Sequence, residues 1–216
     1  MQKSLLITCP EHDDATAYLT YFSKKIIDEA IIKSLKFTEV KDDNLNEKDF
    51  TSILKKLDPR LIVLNGHGTY NAIFGHKDNV IIKLNQNDHL LKEKIVYARS
   101  CNAGALLGQE CVKDTKDGCF IGYNLPFIFY MDAKWTTKPH NDKIARLFIE
   151  PSNLIPISII KGHSTLEAHN NCKKKILRTL NKLVKDKQEP ETPLYLEALW
   201  NNYIGQVIHG NKKAKL

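Results

Sequence analysis

The sequence predicts a three-layer α/β fold, in which a mostly parallel sheet of about six strands carries helices on both faces. Short apolar runs without alternation, such as "LIVLNG" (61–66), are typical of strands that are buried on both faces. These runs alternate along the chain with segments of helical periodicity, the pattern of a parallel sheet covered by helices. The chain has 216 residues, of which 42% are hydrophobic, so one domain over residues 1–216 can bury a full core.

The first half of the chain supplies the strands and the helices that connect them. Strands are predicted at 4–9, 37–42, 61–66, 95–100 and 119–124. Helices are predicted at 13–35, 46–58, 87–94 and 105–114. An Asp caps the first of these helices, and Asn44 or Asn46 caps the second, which Pro59 ends. Residues 72–84 are predicted to form a hairpin that turns at "KDN".

The pattern changes after residue 125, where a helical C-terminal part begins. Residues 125–142 have no clear period and are expected to form a long loop near the site. Helices are predicted at 142–150 and 156–186, followed by a polar hinge at 187–193. The last predicted element, residues 194–210, is expected to dock through Leu199, Trp200, Tyr203 and Ile204.

Composition and charge argue against several classes of protein. No apolar run approaches the ~20 residues of a membrane span, and the N-terminus lacks a signal peptide, so we expect a cytoplasmic protein without membrane contact. The net charge of +7 comes largely from lysines in 170–187 and 210–216, which form either a solvated face or a surface for an acidic partner or nucleic acid. No aromatic residues are interleaved with these lysines and no phosphate-binding glycine motif is present, which argues against a nucleic-acid or nucleotide partner. Five cysteines without a CxxC pair predict neither a disulfide framework nor a zinc module, and no cofactor or metal is expected.

Two of the predicted strands end on reactive side chains. "LIVLNGHG" (61–68) ends at His67 between two glycines, and "IVYARSCNAG" (95–104) continues to Cys101, which small residues follow. In open α/β sheets, ligands and chemistry gather beyond the carboxyl ends of the strands. If these two strands are neighbours, His67 and Cys101 meet above the same edge.

Cys101 and His67 have the chemistry of a nucleophile and its base. A thiol becomes reactive beside a base or a positive helix end, and the helix expected from about Ala103 or Gly104 would present such an end. Histidine titrates near neutral pH and can carry the proton. The amide of Gly68 could stabilise an oxyanion. The alternatives are a structural role for Cys101 and a packing role for His67.

Other chemistry-bearing residues allow both structural and functional interpretations. Asp13 and Asp14 follow the first strand and could cap the next helix or contact a substrate or metal. His169 and Cys172 share a helix face and form either a metal pair or ordinary packing. Three further residues are expected to be structural or exposed, with Cys111 and Cys119 in the core and His76 at the surface of the hairpin turn.

Together, "LIVLNGHG" and "IVYARSCNAG" resemble the His-Gly and Cys blocks of the caspase-like cysteine peptidases, a superfamily that includes caspases, metacaspases, gingipains, clostripain, legumain, separase and bacterial CHAT domains. "SCNAG" is most similar to CHAT-type sequences, and residues 159–176 resemble the helix that follows their catalytic half. The resemblance covers roughly residues 4 to 180. The separation of 34 residues between His67 and Cys101 (101 − 67) is shorter than the ~50 of caspases, and the caspase "QACRG" block is absent.

This resemblance implies a caspase-like fold and an endopeptidase that forms an acyl-enzyme. It implies His67 as the base, Cys101 as the nucleophile, and the amides of Gly68 and Cys101 as the oxyanion donors. It also places Arg99 in the pocket that selects the substrate residue, where an arginine would favour cleavage of a protein or peptide after Asp or Glu. The alternative is that Arg99 pairs internally with Asp13, Asp14 or Asp132.

Two rival functions fit the same fold. One is a non-catalytic caspase-like module that binds or scaffolds other proteins, and the other is a basic α/β protein that binds nucleic acid. The presence of both Cys101 and His67 favours the peptidase. A partner protein could supply a regulatory domain.

Overall fold

The computed structural model describes residues 2–186 and 190–216, and their fold is the predicted α/β class. The strands are β1 (Gln2–Cys9), β2 (Lys36–Lys41), β3 (Pro59–Asn65), β4 (Ala72–Phe74), β5 (Val80–Lys83), β6 (Ile95–Arg99), β7 (Cys119–Tyr123) and β8 (Gln206–Gly210). The helices are α1 (Asp14–Ile32), α2 (Glu47–Leu57), α3 (Leu106–Glu110), α4 (Lys143–Ile160), α5 (Thr165–Asp186) and α6 (Thr192–Gly205).

Six strands form one sheet in the order β2-β1-β3-β6-β7-β8. The first five are parallel to one another, and β8 pairs antiparallel with β7 at the edge. The strands β4 and β5 form a separate antiparallel hairpin, as predicted. Since β3 and β6 are neighbours, the strands that precede His67 and Cys101 end side by side.

The sheet separates two apolar cores. Alternate residues of β1 face opposite sides: Leu5 and Ile7 pack with α1, α4, α5 and α6, whereas Leu6 packs with α2, α3 and the β4–β5 hairpin. The central strands β3 and β6 are buried on both faces, which explains their continuous apolar sequences. Within the described parts of the chain, no helix combines the length and the apolar character needed to cross a membrane.

Several boundaries differ from the sequence prediction. The break expected after residue 150 is absent, because α4 continues through the buried Pro151 and Pro156. The helical conformation is interrupted instead at residues 161–164, between α4 and α5, where Gly162 has a φ of +89°. The helix expected at 87–94 is only a 3-10 turn over Asp88–Leu91.

The segment 194–210, expected to be one element, contains most of α6 and the whole of β8. Pairing with β7 gives residues 206–210 their strand conformation, a tertiary effect that local periodicity does not reveal. Of the predicted docking residues, Leu199 is fully buried, but Trp200 and Ile204 are 51% and 49% exposed. In the predicted hinge, residues 187–189 lie outside the described residues, and Thr192 already begins α6.

Candidate active site

His67 and Cys101 occupy equivalent places at the edge where β3 and β6 end. Asn65 and Arg99 are paired in the parallel register, and His67 and Cys101 each lie two residues further along the chain. The two candidate residues from the sequence therefore lie at the same distance beyond the ends of two adjacent strands. This placement follows from strand order, which no local sequence pattern shows.

The backbones of these two segments are in direct contact. A Cβ atom added to Gly68 would lie 2.7 Å from the carbonyl oxygen of Cys101 and 2.8 Å from Cβ of Ser100. Only a residue without a side chain allows this approach. Gly68 thus keeps its backbone against the segment that carries the thiol.

The turn that presents His67 depends on Gly66. Gly66 has a φ of +149°, and a Cβ atom there would lie 2.1 Å from the carbonyl oxygen of Phe74 in β4. The amide of Phe74 donates a hydrogen bond of 3.0 Å to the carbonyl of His67. The β4–β5 hairpin therefore supports the backbone of His67, while 44% of its side chain remains exposed.

Asp13 holds the imidazole of His67. Its Oδ2 lies 2.6 Å from Nε2 of His67, and its Oδ1 accepts a hydrogen bond of 2.7 Å from the amide of Thr16. Partial burial raises the pKa of Asp13, but the bonds to His67 and to Thr16 outweigh this effect and lower it to about 2. Asp13 is therefore a carboxylate that orients the imidazole and can stabilise its charged form.

The two aspartates after β1 have different positions. Asp13 is the N-cap of α1, as predicted, and it completes a capping box with Thr16. Asp14 is the first residue of the helix and is exposed. The contact between Asp13 and His67 is not predictable from the sequence, because it depends on β1 lying next to β3.

Cys101 is the only cysteine that is not buried among the described residues, which include all five. Its Sγ is 4.0 Å from the carbonyl oxygen of Phe127, in the loop that was expected near the site. Asn202 of α6 anchors that loop, since its side chain accepts from the amide and donates to the carbonyl of Ile128. The thiol is thus partly accessible beside a segment held in place by α6.

The other four cysteines have the environment of core residues. All four are at most 3% exposed: Cys9, Cys111, Cys119 and Cys172. Burial raises the pKa of the Cys9 and Cys172 thiols to about 12, and that of Cys119 to about 11. These groups remain protonated thiols at neutral pH, and Cys111 and Cys119 are core residues as expected.

Two backbone amides beside the thiol remain available as donors. In residues 2–186 and 190–216, neither the amide of Gly68 nor that of Cys101 donates a hydrogen bond to the protein. The amides of Asn102 and Gly104 are occupied, the first donating to the carbonyl of Leu125 and the second to that of Tyr123. The helix expected to begin near Ala103 starts only at Leu106 and has five residues, so it does not place a positive helix end at Cys101.

The position of Arg99 contradicts the expectation that it lines a substrate pocket. Its side chain is 0% exposed, and its guanidinium donates to Asn65, to Ser152, to Asn153 and to two groups of α1. The alternative partners Asp13, Asp14 and Asp132 are not among these acceptors, all of which are neutral. Arg99 therefore belongs to a buried polar cluster and gives no support to cleavage after acidic residues.

Of the other histidines, His12 lies beside His67, with a ring separation of 5.8 Å. His169 is 8% exposed in α5, and the neighbouring Cys172 accepts a hydrogen bond of 3.0 Å from Gln206, so both are packed in the core. His76, expected at the surface, is half-buried and lies beside His12, with a ring separation of 5.5 Å. No role for His12 is predicted from the sequence. The signal that could have pointed to it is its position just after β1, the strand that pairs with β3.

Comparison of the chain with protein-family models finds no matching family, and comparison with curated proteins finds no matching relative.

Proposed function

We propose that this protein is a cysteine endopeptidase in which Cys101 is the nucleophile, His67 transfers the proton and Asp13 orients His67. The register of β3 and β6 carries this proposal, because it brings His67 and Cys101 to the same edge in equivalent positions. The contact of 2.6 Å between Asp13 and His67 adds the third group of a nucleophile, base and orienting acid. The sequence resemblance to caspase-like peptidases points to the same pair.

The reaction proceeds in two halves. Cys101 Sγ transfers its proton to His67 and attacks the carbonyl carbon of the scissile bond, and the developing oxyanion accepts hydrogen bonds from the Gly68 and Cys101 amides. The intermediate collapses, His67 gives its proton to the leaving amine, and a thioester to Cys101 remains. Water then gives a proton to His67 and attacks the thioester, which releases the carboxylic acid and returns the proton to Cys101.

Asp13 contributes throughout this cycle by acting on His67. As a carboxylate it stabilises the imidazolium that exists while His67 carries the additional proton. It also fixes the ring, so that the nitrogen opposite Nε2 is the one that exchanges the proton with the thiol. Asp13 is thus a positioning residue and does not touch the substrate.

Turnover of a fluorogenic peptide library tests the proposal. Cys101→Ala should abolish cleavage, and His67→Ala should lower kcat/KM about 10²–10⁴-fold, the usual contribution of a positioned acid–base group. His89→Ala is a matched control, since His89 is exposed in the turn before β6. Circular dichroism should show that all variants are folded.

Two outcomes would contradict the proposal. Cleavage that survives in Cys101→Ala would exclude this thiol as the nucleophile. A folded wild-type protein that cleaves no member of a library covering every residue on both sides of the scissile bond would support a non-catalytic binding module.

A further inference from the structure

Side chains from three different loops converge beside the candidate active site. His12 follows β1, His67 follows β3, and Asp78 lies in the turn between β4 and β5. Each offers a nitrogen or carboxylate oxygen, and these atoms all lie within 4.8 Å of one another. Imidazole nitrogen and carboxylate oxygen are common ligands of Zn²⁺ in proteins.

Of these three residues, His12 is the one whose buried ring nitrogens have no hydrogen-bond partner to account for them. Its side chain is only 10% exposed, yet neither ring nitrogen has a hydrogen-bonding partner among the described residues. A buried polar group without a partner is destabilising, so most such groups in proteins are paired. A metal ion would satisfy one of these nitrogens.

The distances around His12 fit groups that share an ion better than groups that share a proton. Its Nε2 lies 3.5 Å from Oδ2 of Asp13 and 3.6 Å from Oδ1 of Asp78. These separations are long for a charge-assisted hydrogen bond. In a tetrahedral zinc site with bonds of about 2.0–2.1 Å, neighbouring ligand atoms are about 3.3 Å apart, close to these two separations. Pairs of the cluster that lie farther apart, within the limit of 4.8 Å, would have to come closer, and the 2.6 Å contact between Asp13 and His67 would have to lengthen.

Two neighbouring residues offer further atoms that could bind a metal ion. Oδ2 of Asp13 lies 2.6 Å from Nε2 of His67 and 3.5 Å from Nε2 of His12, so this carboxylate borders two of the three groups. The ring of His76 is 5.5 Å from that of His12, and its Nδ1 is buried without a partner. Two imidazoles and one or two carboxylates form a donor set suited to zinc.

We propose that His12, His67 and Asp78 bind a zinc ion, with Asp13 as the fourth ligand, and that bound zinc switches off His67. The second part of the proposal rests on the proposed peptidase function. When one nitrogen of His67 is committed to the ion, the other carries the ring proton, so the imidazole can no longer accept the proton of Cys101. Zinc also takes Asp13 away from its orienting role.

Zinc affinity, measured on the full chain by competition with a chromophoric chelator, tests the site without any turnover. The Cys101→Ser background removes the thiol as a competing ligand, and one zinc ion per chain should bind in it. His12→Ala and Asp78→Asn should each weaken binding at least about tenfold. The matched controls His89→Ala and Asp14→Asn change exposed residues and should leave the affinity unchanged. Equal affinity in all four variants would overturn the site.

Cobalt absorption distinguishes this site from binding at the thiol. Co²⁺ held by nitrogen and oxygen ligands gives ligand-field bands without a thiolate charge-transfer band, and this spectrum is expected for the wild-type protein. A strong thiolate band that disappears in Cys101→Ser would place the ion on Cys101 and contradict the proposed ligands.

The proposed inhibition by zinc is tested separately, by measuring peptide turnover. The ratio of peptide turnover with and without zinc should fall at least about tenfold for the wild-type protein, return with a chelator, and change little in Asp78→Asn. Zinc that binds as proposed but leaves turnover unchanged or raises it would overturn the switch and leave the site intact. Because affinity is measured without substrate, failure of the peptidase proposal and failure of the metal site give different results.

Discussion

At the scale of single residues, Asp13 shows how one side chain can serve both the fold and the site. Its Oδ1 accepts from the amide of Thr16 and caps α1, while its Oδ2 faces His67. The sequence predicted the cap because the residue type and its position before a helix are local signals. The contact with His67 joins residues 54 positions apart and depends on the pairing of β1 with β3.

Asp13→Asn separates these two roles. Asparagine caps a helix about as well as aspartate, so the melting temperature should change little. An amide cannot stabilise the imidazolium and can favour the wrong tautomer, so kcat should fall at least about tenfold with little change in KM. Steady-state kinetics and thermal unfolding check both expectations, with Asp14→Asn as the matched control. A normal kcat over the whole pH profile would remove Asp13 from the proposed site.

At the scale of elements, the turns that follow the strands carry the residues of the candidate site. In the turn after β3, the backbone conformation of Gly66 and its close contact with β4 leave no room for a side chain. Its positive φ and its approach to Phe74 both require glycine. The pattern "GHG" predicted an exposed imidazole on a tight turn, and His67 is 44% exposed. The close approach to β4 was not predictable, because it depends on where the hairpin packs.

Gly66→Ala should destabilise the protein by at least about 2 kcal/mol, since the backbone strain is joined by a clash with Phe74. Gly162→Ala is the control for strain alone, because Gly162 also has a positive φ, +89°, but has nothing within 4 Å of an added Cβ. Urea unfolding of both variants measures the difference. Equal losses would show that contact with Phe74 is unimportant.

The helix α5 contributes a pH-dependent effect on stability through His169. Burial lowers the pKa of His169 to about 4 from its ordinary 6.5, with Lys173 and Lys212 acting in the same direction. Between these values the unfolded chain binds a proton that the folded chain does not, so stability decreases as the pH falls from 6.5 to 4. The loss from this group approaches roughly 3 kcal/mol at the acidic end.

His169→Gln should remove this part of the pH dependence. The difference in unfolding free energy between the variant and the wild type should shift in favour of the variant as the pH falls from 7 to 4. The exposed His89 provides the control variant His89→Gln, for which no such trend is expected. Parallel curves for the wild type and His169→Gln would contradict the assigned cause.

At the scale of the whole molecule, a buried polar cluster joins the sheet to the helical layer beneath the site. Arg99 of β6 donates to Asn65 of β3, to Ser23 of α1 and to Asn153 of α4. Burial lowers the pKa of this guanidinium, and neutral acceptors surround it. An arginine in an apolar strand is visible in the sequence, but whether it faces a pocket or the core depends on the packing of α1 and α4.

Arg99→Met should cost about 3 kcal/mol or more, because several buried acceptors lose their donor at once. The comparison is Arg146→Met on the exposed face of α4, where only an i,i+4 pair with Glu150 is lost and the cost should stay below about 0.5 kcal/mol. Chemical denaturation measures both. Similar costs for the two variants would show that the buried cluster does not join the layers energetically.

The sequence predicted the class of fold and most strands, because continuous apolar runs and helical periodicity are local. It did not predict β8, whose conformation depends on β7, or the continuation of α4 through two prolines. It singled out His67 and Cys101 as candidates because both follow buried strands. The neighbours of these residues in space required the strand order β1-β3-β6.

Reaction with a peptidyl acyloxymethyl ketone, followed by mass spectrometry, is the sharpest test that Cys101 is the nucleophile and His67 its base. Alkylation by a small reagent is not decisive, since Cys101 is also the most accessible of the five thiols. A peptidyl ketone instead requires binding and proton transfer at the site. We expect one adduct per chain, on Cys101, that forms at least about 10²-fold more slowly in His67→Ala than in His89→Ala. An adduct on Cys101 that forms equally fast in His67→Ala, or no adduct with any peptide of the library, would contradict this expectation.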